Sequence, residues 1–435
     1  MSDRRCERTT ARTLAALGAA ALLVPLAAPA PAFAEGGWLR QDLDSADRVG
    51  LVLESGALRT DVGEADGGGA SLRREGQRGR TGLATFPEQA LDGPTDSVDV
   101  RVRADGDVEH LLAEVRGVRP DGMWTEWYPA PGSGGRVTLP EDVTQVQLRV
   151  EVEGGDTALT GLRVRPLASG AGRPGGGERD GGAHGARPAE PFSARLFATR
   201  IGLVGGTTAN GHTVRKDDHF VALPSRRGLA TRGGGEYTVR VCTTGALGPE
   251  GKNETPEHEP RCAYLPVWDV GPWNTGDDHW NEDRESWNDL ERGRPQAEAA
   301  YTDGYNGGLD GFGRKVRNPA GIDLADGAFR EGLQLPTNAW VEVDYLWTAD
   351  YRQRAEITTV TQSDPVVVRG GPGLEHDPVG LAAHKANVDV ACQTVGDEAT
   401  GPFGTSSAWY RIGPGNYVPA AFADGGADAP DCARR

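Results

Sequence analysis

Positive charge and cysteine are both scarce in this 435-residue chain, and each shortage narrows the classes of protein it can be. The 46 lysines and arginines stand against 63 aspartates and glutamates, for a net charge of −17. A nucleic-acid partner would require a basic face, so this balance argues against one. The 63 glycines and 29 prolines favour short strands joined by many turns, with little helix. The length allows about two to four domains.

The sequence has one long apolar run, which lies within residues 1–34, and no second one. Residues 14–30 are apolar and lead to Ala32-Phe33-Ala34, a small-x-small cleavage sequence. The apolar run is short and interrupted by prolines, so a signal peptide is favoured over a membrane anchor. We therefore expect a mature chain from about Glu35, secreted and either extracellular or bound to the cell wall, without a membrane anchor. The basic residues that open the segment are Arg4, Arg5, Arg8 and Arg12.

Four cysteines follow that segment, and no CxxC or closely spaced Cys/His cluster occurs. An even number in an exported chain predicts disulfide bonds rather than a zinc site or a nucleophilic thiol. The simplest of the three possible pairings joins Cys242 to Cys262 and Cys392 to Cys432. No metal or cofactor is expected. Six aspartates lack the spacing of a calcium loop and are interpreted as a solvated acidic loop; they are Asp277, Asp278, Asp283, Asp289, Asp303 and Asp310.

The pattern along the chain predicts an all-β multidomain protein. Residues 35–168 alternate apolar and polar positions and predict a jelly-roll-like β-sandwich. Within it, Trp124 and Trp127 could form an aromatic pair for sugars, but one core tryptophan and one edge tryptophan are favoured. Residues 169–190 are rich in glycine and proline and predict a flexible linker. Residues 191–349 and 350–435 contain further strand patterns.

The stretch from Tyr264 to Asn274, YLPVWDVGPWN, is the strongest functional signal. An apolar strand runs into one acid, Asp269, and then breaks at Gly271-Pro272. A carboxylate at the end of a strand is held at a defined point, as catalytic and binding sites require. We also predict a short helix over Arg294–Tyr301 and a strand leading to a one-turn helix over Ala320–Phe329.

Four motifs follow in order: TTANG, FVALPS, VWDVGPW and GIDLADGAF. As a set they resemble the double-psi β-barrel of the barwin, expansin and rare lipoprotein A type. Two departures are the valine at position 270, where the family has arginine, and the long insert before GIDLA. The tail, with PVVVRGGPG and WYRIGPGNYVPAAF, resembles a bacterial SH3-like β-barrel. The N-terminal module resembles the sandwich modules that precede wall-active domains in actinobacterial exported proteins.

This resemblance implies three candidate catalytic residues. Asp269 matches the carboxylate that acts as general acid toward a glycosidic oxygen; alternatively it caps the Gly-Pro turn. Asp323 would be the second carboxylate that hydrolysis needs, about 5–10 Å away, or a helix N-cap. His219 lies near the position of the catalytic histidine of rare lipoprotein A proteins, or is a surface polar residue.

Aromatic residues cluster around these positions in the sequence. Rings that line a groove hold sugars by stacking, so they are candidate ligand-binding residues; a hydrophobic cluster that packs the insert is the alternative. The set is Trp268, Trp273, Trp280, Tyr305 and Trp340.

The expected function is therefore that of a monomeric, expansin-like protein that binds peptidoglycan or another extracellular polysaccharide without strong catalysis. A lytic transglycosylase or glycosidase with Asp269 as acid, and a structural or inhibitory protein without a glycan ligand, are the alternatives.

Overall fold

The computed structural model describes residues 37–61, 81–132, 134–168, 190–248 and 258–434. The predicted signal peptide and almost all of the predicted linker lie outside these ranges. The chain is 48% strand and 10% helix, which confirms the all-β prediction. We refer to residues 37–168 as the sandwich module, 190–349 as the barrel module and 350–434 as the C-terminal module.

The sandwich module is one antiparallel sheet wrapped around its own apolar core. Alternation of apolar and polar residues along its strands produces one buried and one exposed face. In β6, for example, Val98, Val100 and Val102 are buried, while Arg101 and Arg103 point to solvent. The sheet runs β2-β5-β9-β6-β10-β4-β3, with β1 on β10, β7 on β9 and β8 on β7. The strands are β1 Leu39–Gln41, β2 Asp47–Val49, β3 Leu51–Glu54, β4 Ala57–Thr60, β5 Thr81–Thr85, β6 Gln89–Asp105, β7 Leu111–Gly117, β8 Tyr128–Pro129, β9 Gly134–Glu153 and β10 Ala158–Pro166.

The barrel module closes into a ring of six strands. The order is β12-β15-β11-β16-β13-β14, and β14 also pairs with β12. Two of the pairs, β11 with β15 and β12 with β14, are parallel. A closed barrel of this kind fits a double-psi β-barrel type of fold. The strands are β11 Phe192–Arg200, β12 Val221–Leu223, β13 Thr238–Cys242, β14 Cys262–Val270, β15 Ala320–Leu324 and β16 Ala339–Tyr345.

Helical segments are short. The helix α1, Gln296–Asp303, begins and ends two residues later than predicted. Gly304 follows it, and its φ of 68° provides a left-handed cap. After β15 comes a π-helical turn, Ala328–Gly332, where the sequence predicted a one-turn helix. Isolated 3-10 turns span Leu43–Ser45, Val108–His110, Arg226–Gly228, Tyr305–Gly308, Leu346–Thr348, Ala420–Phe422 and Cys432–Arg434.

The C-terminal module continues the sheet of the barrel module. Its strand β19 pairs in parallel with β14, so that Cys262, Ala263 and Tyr264 lie opposite Gly380, Leu381 and Ala382. Strands β17, β20 and β24 form a separate small sheet. The sheet therefore crosses the predicted boundary between the two modules. The strands are β17 Arg354–Ile357, β18 Val366–Arg369, β19 Pro378–Ala382, β20 Asn387–Asp389, β21 Cys392–Gly401, β22 Gly404–Gly413, β23 Asn416–Pro419 and β24 Ala423–Gly425.

A buried junction joins the sandwich module to the barrel module. Trp127 of the sandwich module lies in the core of the barrel module, and its Nε1–H donates to the carbonyl of Leu229 at 3.0 Å. The guanidinium groups of Arg116 and Arg149 lie 4.4 and 4.2 Å from the centre of its ring. Trp124 is half-buried beside Arg116. Trp127 is therefore a core residue, but of the barrel module, and Trp124 packs half-buried against that same core rather than over an edge of the sandwich module.

Glu126 is the polar centre of this junction. Its carboxylate accepts hydrogen bonds from the indole N–H groups of Trp280 at 2.7 Å and Trp347 at 2.8 Å, both in the barrel module. It also lies 3.2 Å from the guanidinium of Arg227. A buried carboxylate with this many partners fixes the orientation of the two modules, because a lost partner would leave unpaired polar groups without water.

The disulfide bonds join Cys242 to Cys262 and Cys392 to Cys432. This is the local pairing predicted from the sequence. Among the described residues no helix has the length and apolar character needed to cross a membrane. In the same ranges, no group of three or more His, Cys, Asp or Glu side chains is arranged to hold a metal ion.

Candidate functional site

The register of four barrel strands brings two carboxylates into one row. Ala222 of β12 lies opposite Asp269 of β14 on one side and opposite Asp323 of β15 on the other. Thr199 of β11 follows opposite Asp323. Residues directly opposite each other on neighbouring strands project from the same face of a sheet. Two strand spacings place the Cα atoms of the two aspartates about 10 Å apart. The small side chain of Ala222 leaves the space between them open.

Asp269 is almost completely buried, with 1% of its surface exposed. Its Oδ1 accepts a hydrogen bond from the backbone N–H of Ala209 at 2.8 Å. Ala209 belongs to the TTANG turn. The alternative interpretation from the sequence had Asp269 capping the Gly-Pro turn, but this hydrogen-bond partner lies outside that turn. The contact joins two of the motifs that suggested the barrel.

Asp323 accepts a short hydrogen bond from the hydroxyl of Thr199. Burial raises the pKa of Asp323 to about 7; the hydrogen bond from Thr199 opposes this rise, and the negative charge of Asp269 adds to it. The carboxyl of Asp323 can therefore hold a proton near neutral pH. The N-cap interpretation is wrong, because Gly327 precedes the following π-helical turn and no side chain caps it.

The row opens into a cavity of about 300 Å³. One wall is formed by Trp273, Phe312 and Arg314. The guanidinium of Arg314 lies 5.2 Å from the ring of Phe312 and 5.9 Å from that of Trp273, and its Nη2 donates to the carbonyl of Trp273 at 2.7 Å. The indole N–H of Trp273 donates to Asn318 at 3.0 Å. The cavity therefore combines carboxylates, a fixed cation and aromatic rings. Apolar side chains of Ile201, Leu203, Val270 and Pro272 and polar side chains of Asn274 and Thr275 also line the cavity.

Two of the predicted ligand-binding tryptophans are buried, and the prediction is wrong for them. Trp268 is 2% exposed and packs against Phe220 and His212, with ring centres 5.6 and 4.9 Å away. Trp280 is wholly buried at the junction with the sandwich module. Neither ring can stack on a sugar without unfolding of its surroundings.

The other predicted aromatic residues separate into one that lines the cavity and two that do not. Trp273 lines it. The hydroxyl of Tyr305 donates to Asp289 at 2.7 Å and its ring packs on Trp287. Trp340 packs edge-on against Phe197. Sequence proximity grouped these rings, but the barrel distributes them over different surfaces.

His219 does not line the cavity, so the structure gives no support to its predicted catalytic role in this site. It is also not a surface residue, since 3% of it is exposed. Its Nε2 lies 3.5 Å from the carboxylate of Glu331. Burial lowers the pKa of His219, and the surrounding acids Glu331, Asp218 and Asp217 oppose this effect.

The acidic insert is partly folded into the protein rather than solvated. Asp277 forms an ion pair with Arg284, and Asp278 lies 2.6 Å from Arg227; both aspartates are fully buried. Asp310 is buried and pairs with Arg314 at 2.6 Å. The interpretation as a solvated loop is therefore wrong for these three residues. The pair of Asp278 with Arg227 ties the insert to the barrel, whereas the pairs of Asp277 and Asp310 lie within the insert that carries the cavity wall.

Sequence reasoning missed several residues of the cavity. Thr199 and Ala222 reach it only through strand register, which no local pattern encodes. Phe312, Arg314 and Asn318 belong to a segment, GFGRKVRN, without a recognisable motif. An interpretation of this segment as part of a site would have required knowledge that the insert folds back over β14.

The fold and the cavity define an all-β protein with a closed barrel and an acidic, aromatic-lined site. Residues 192–344 match a family described as Domain of unknown function (DUF8814). The matched range runs from the first residue of β11 almost to the end of β16 and includes both aspartates and the whole cavity lining. No curated protein matches the chain.

Proposed function

We propose that this chain is an extracellular protein that binds peptidoglycan or another polysaccharide in the barrel cavity, in the manner of an expansin-like double-psi barrel. The observation that carries the proposal is the convergence of Asp269, Asp323 and Trp273 on one cavity. Sugar sites commonly pair an aromatic ring, which contacts the apolar face of the pyranose, with polar groups that bind the hydroxyls. The two aspartates and Arg314 supply acceptors and a donor around Trp273.

The C-terminal module fits this proposal as an SH3-like wall-binding partner of the barrel. Its motifs PVVVRGGPG and WYRIGPGNYVPAAF carry that resemblance. Two ligand-binding modules on one chain would strengthen attachment to a polymer through avidity.

Binding is tested by co-sedimentation of the full-length secreted chain with insoluble peptidoglycan, cellulose and chitin. Trp273→Ala is expected to lower the affinity for the bound polymer roughly two- to tenfold, the range of one lost aromatic contact. Trp340→Ala is the matched control, because it removes a half-buried tryptophan outside the cavity. Binding to none of the polymers, or an equal loss of affinity in the two variants, would contradict the proposal and favour a structural or inhibitory role.

A second candidate is cleavage of the bound glycan, and the pKa of Asp323 favours it. A carboxyl with a pKa of about 7 can donate a proton to a glycosidic oxygen near neutral pH. For the cleavage function, the proton donor is therefore Asp323. The sequence had suggested Asp269 for this role. A lytic transglycosylase could use this one acid, whereas a hydrolase would need Asp269 as well.

Release of soluble fragments or reducing ends from purified wall separates cleavage from binding. The expected result for an enzyme is release by the wild type and its loss in Asp323→Asn, with co-sedimentation retained. Release that persists in Asp323→Asn would remove Asp323 as proton donor. Co-sedimentation without release by the wild type would leave the binding function alone.

A further inference from the structure

One face of the sandwich module carries a row of arginines. Strands β1, β10 and β6 lie side by side, and Arg40 of β1 lies opposite Arg163 of β10, which lies opposite Arg101 of β6. Arg103 is two residues beyond Arg101 on the same strand and therefore on the same face. Like charges directly opposite each other in a sheet are destabilising. Four arginines on one face of a chain with net charge −17 require an explanation.

Acids of the described residues do not pair with these four arginines. Asp99 and Asp105 lie on the same face of β6, on either side of Arg101 and Arg103, but they pair with other arginines. Asp99 lies 2.6 Å from Arg165, which is on the same face of β10, and Asp105 lies 2.8 Å from Arg59. Within the described residues, Arg40, Arg101, Arg103 and Arg163 have no carboxylate within 4.0 Å. Partial burial and the positive charges of Arg101, Arg103, Arg40 and Arg165 lower the pKa of Arg163.

Two of these four guanidinium groups are also held in place. Trp38 lies beneath the row, 6% exposed. The guanidinium carbons of Arg101 and Arg163 are 4.7 and 4.6 Å from the centre of its ring. Stacking on an aromatic face fixes the plane of a guanidinium while its N–H donors remain free to bind. Arg101 and Arg163 therefore present ordered donors at the centre of the row, beside Arg165, which lies 4.7 Å from the same ring.

A concave space accompanies the row. A cavity of about 180 Å³ is lined by Arg40, Arg101, Arg103 and Arg163 together with Thr160 and Gly161. The sheet register shifts at Leu159 and Gly161, and Thr160 between them is exposed. The absence of a side chain at Gly161 leaves room directly beside Arg103, its partner on β6. The site therefore has shape as well as charge.

We propose that this arginine row is a second binding site, which takes the oxyanion groups, phosphate or carboxylate, of an anionic ligand outside the chain. Guanidinium groups bind both kinds of oxyanion in bidentate, charge-assisted hydrogen bonds. The attraction of a bound anion to each guanidinium would offset the repulsion between the arginines of the row. The site lies on the sandwich module and is independent of the barrel cavity and of its proposed function.

The test uses the full-length secreted chain and two probes, inorganic tripolyphosphate for phosphate and oligogalacturonate for carboxylate. Titration calorimetry at low ionic strength should show binding of at least one probe, and the probe that binds identifies the source of the oxyanion. The triple variant Arg40→Gln, Arg101→Gln, Arg163→Gln should lower that affinity at least about tenfold. Added salt should weaken binding, because exposed charges are screened.

A matched control removes three positive charges elsewhere. Arg215→Gln, Lys216→Gln and Arg330→Gln lie at exposed positions of the barrel module and should leave the affinity nearly unchanged. If the triple variant of the row does not fold, Arg40→Gln alone decides, since Arg101 and Arg163 remain on Trp38; it should lower the affinity several-fold. Absence of binding of both probes, equal loss in the control, or unchanged affinity in Arg40→Gln would overturn the proposal.

Discussion

At the scale of single residues, the distinctive feature of the cavity is a carboxyl that is held in a protonatable state. Asp323 is enclosed by the barrel and lies in one row with Asp269 across Ala222. The hydroxyl of Thr199 favours its ionised form, and burial with the charge of Asp269 favours its neutral form. The balance between these contacts decides whether the site can donate a proton.

This balance predicts how stability depends on pH. Because the pKa of Asp323 is raised to about 7 in the folded chain, the folded state binds a proton more tightly than the unfolded state does. The free energy of unfolding should therefore fall as pH rises from about 4 to about 7, by at most about 1.4 kcal/mol per pH unit from this group. Asp323→Asn should reduce that fall and be more stable than the wild type above pH 7, as measured by urea unfolding.

The control for this prediction is Asp283→Asn, which changes an exposed aspartate of the insert and should leave the pH dependence as in the wild type. A curve for Asp323→Asn that runs parallel to the wild type would contradict the raised pKa. Asp269→Asn, which removes the neighbouring negative charge, should lower the pKa of Asp323 in a carbon-13 titration of its carboxyl.

Residue-level prediction from the sequence identified both aspartates but misjudged their surroundings. An apolar strand that reaches an acid just before a Val-Gly-Pro turn is a local pattern, and Asp269 could be found from it. Burial of Trp268, Trp280, Asp277 and Asp278 depends on contacts with distant segments, such as Glu126 with Trp280. Charge and aromatic character alone therefore suggested a solvated loop and a sugar-binding groove where the chain forms ion pairs and core.

At the scale of elements, β19 joins the C-terminal module to the barrel module. Its Gly380 lies opposite Cys262, and a Cβ at this position would come within 1.7 Å of the carbonyl oxygen of Cys262. Gly380→Ala should therefore force the two strands apart and destabilise the protein by a few kcal/mol, as other buried steric clashes do. Thermal unfolding by circular dichroism is the measurement.

Gly370→Ala is the matched control for this element. A Cβ at position 370 would meet Val379 at 3.5 Å, an ordinary contact, and the variant should unfold close to the wild-type temperature. Equal melting temperatures for the two variants would show that the parallel pairing of β14 and β19 contributes little to stability.

Elements were the most predictable level of this structure. The strand Val366–Arg369 and the segment after Ala320 follow from alternation and turn residues, and α1 lies two residues from its predicted range. The pairing of strands was harder to predict from the sequence. The parallel contact of β14 with β19 joins strands more than a hundred residues apart, and no local preference specifies a partner at that distance.

At the scale of the whole molecule, Glu126 couples two modules. Its replacement by alanine would leave the indole N–H groups of Trp280 and Trp347 without their acceptor and Arg227 without one carboxylate. Removing one partner from such a buried network costs about 3–5 kcal/mol. Calorimetry should show one cooperative transition for the sandwich and barrel modules in the wild type and a much lower melting temperature in Glu126→Ala.

Glu109→Ala, at an exposed position of the sandwich module, should melt with the wild type. Two separate transitions in the wild type, or an unchanged melting temperature in Glu126→Ala, would mean that the junction does not couple the modules.

Strand β14 also has a mechanical consequence. One of its ends carries Asp269 into the cavity, and the other end pairs with β19 and holds the Cys242–Cys262 bond. Tension on a polymer held in the cavity would pass along this strand into the C-terminal module. The hydrogen bonds on both sides of β14 would then be loaded together in shear rather than opened one by one. If the cavity binds a polymer as proposed, this arrangement would let the chain bear traction there without first separating its modules.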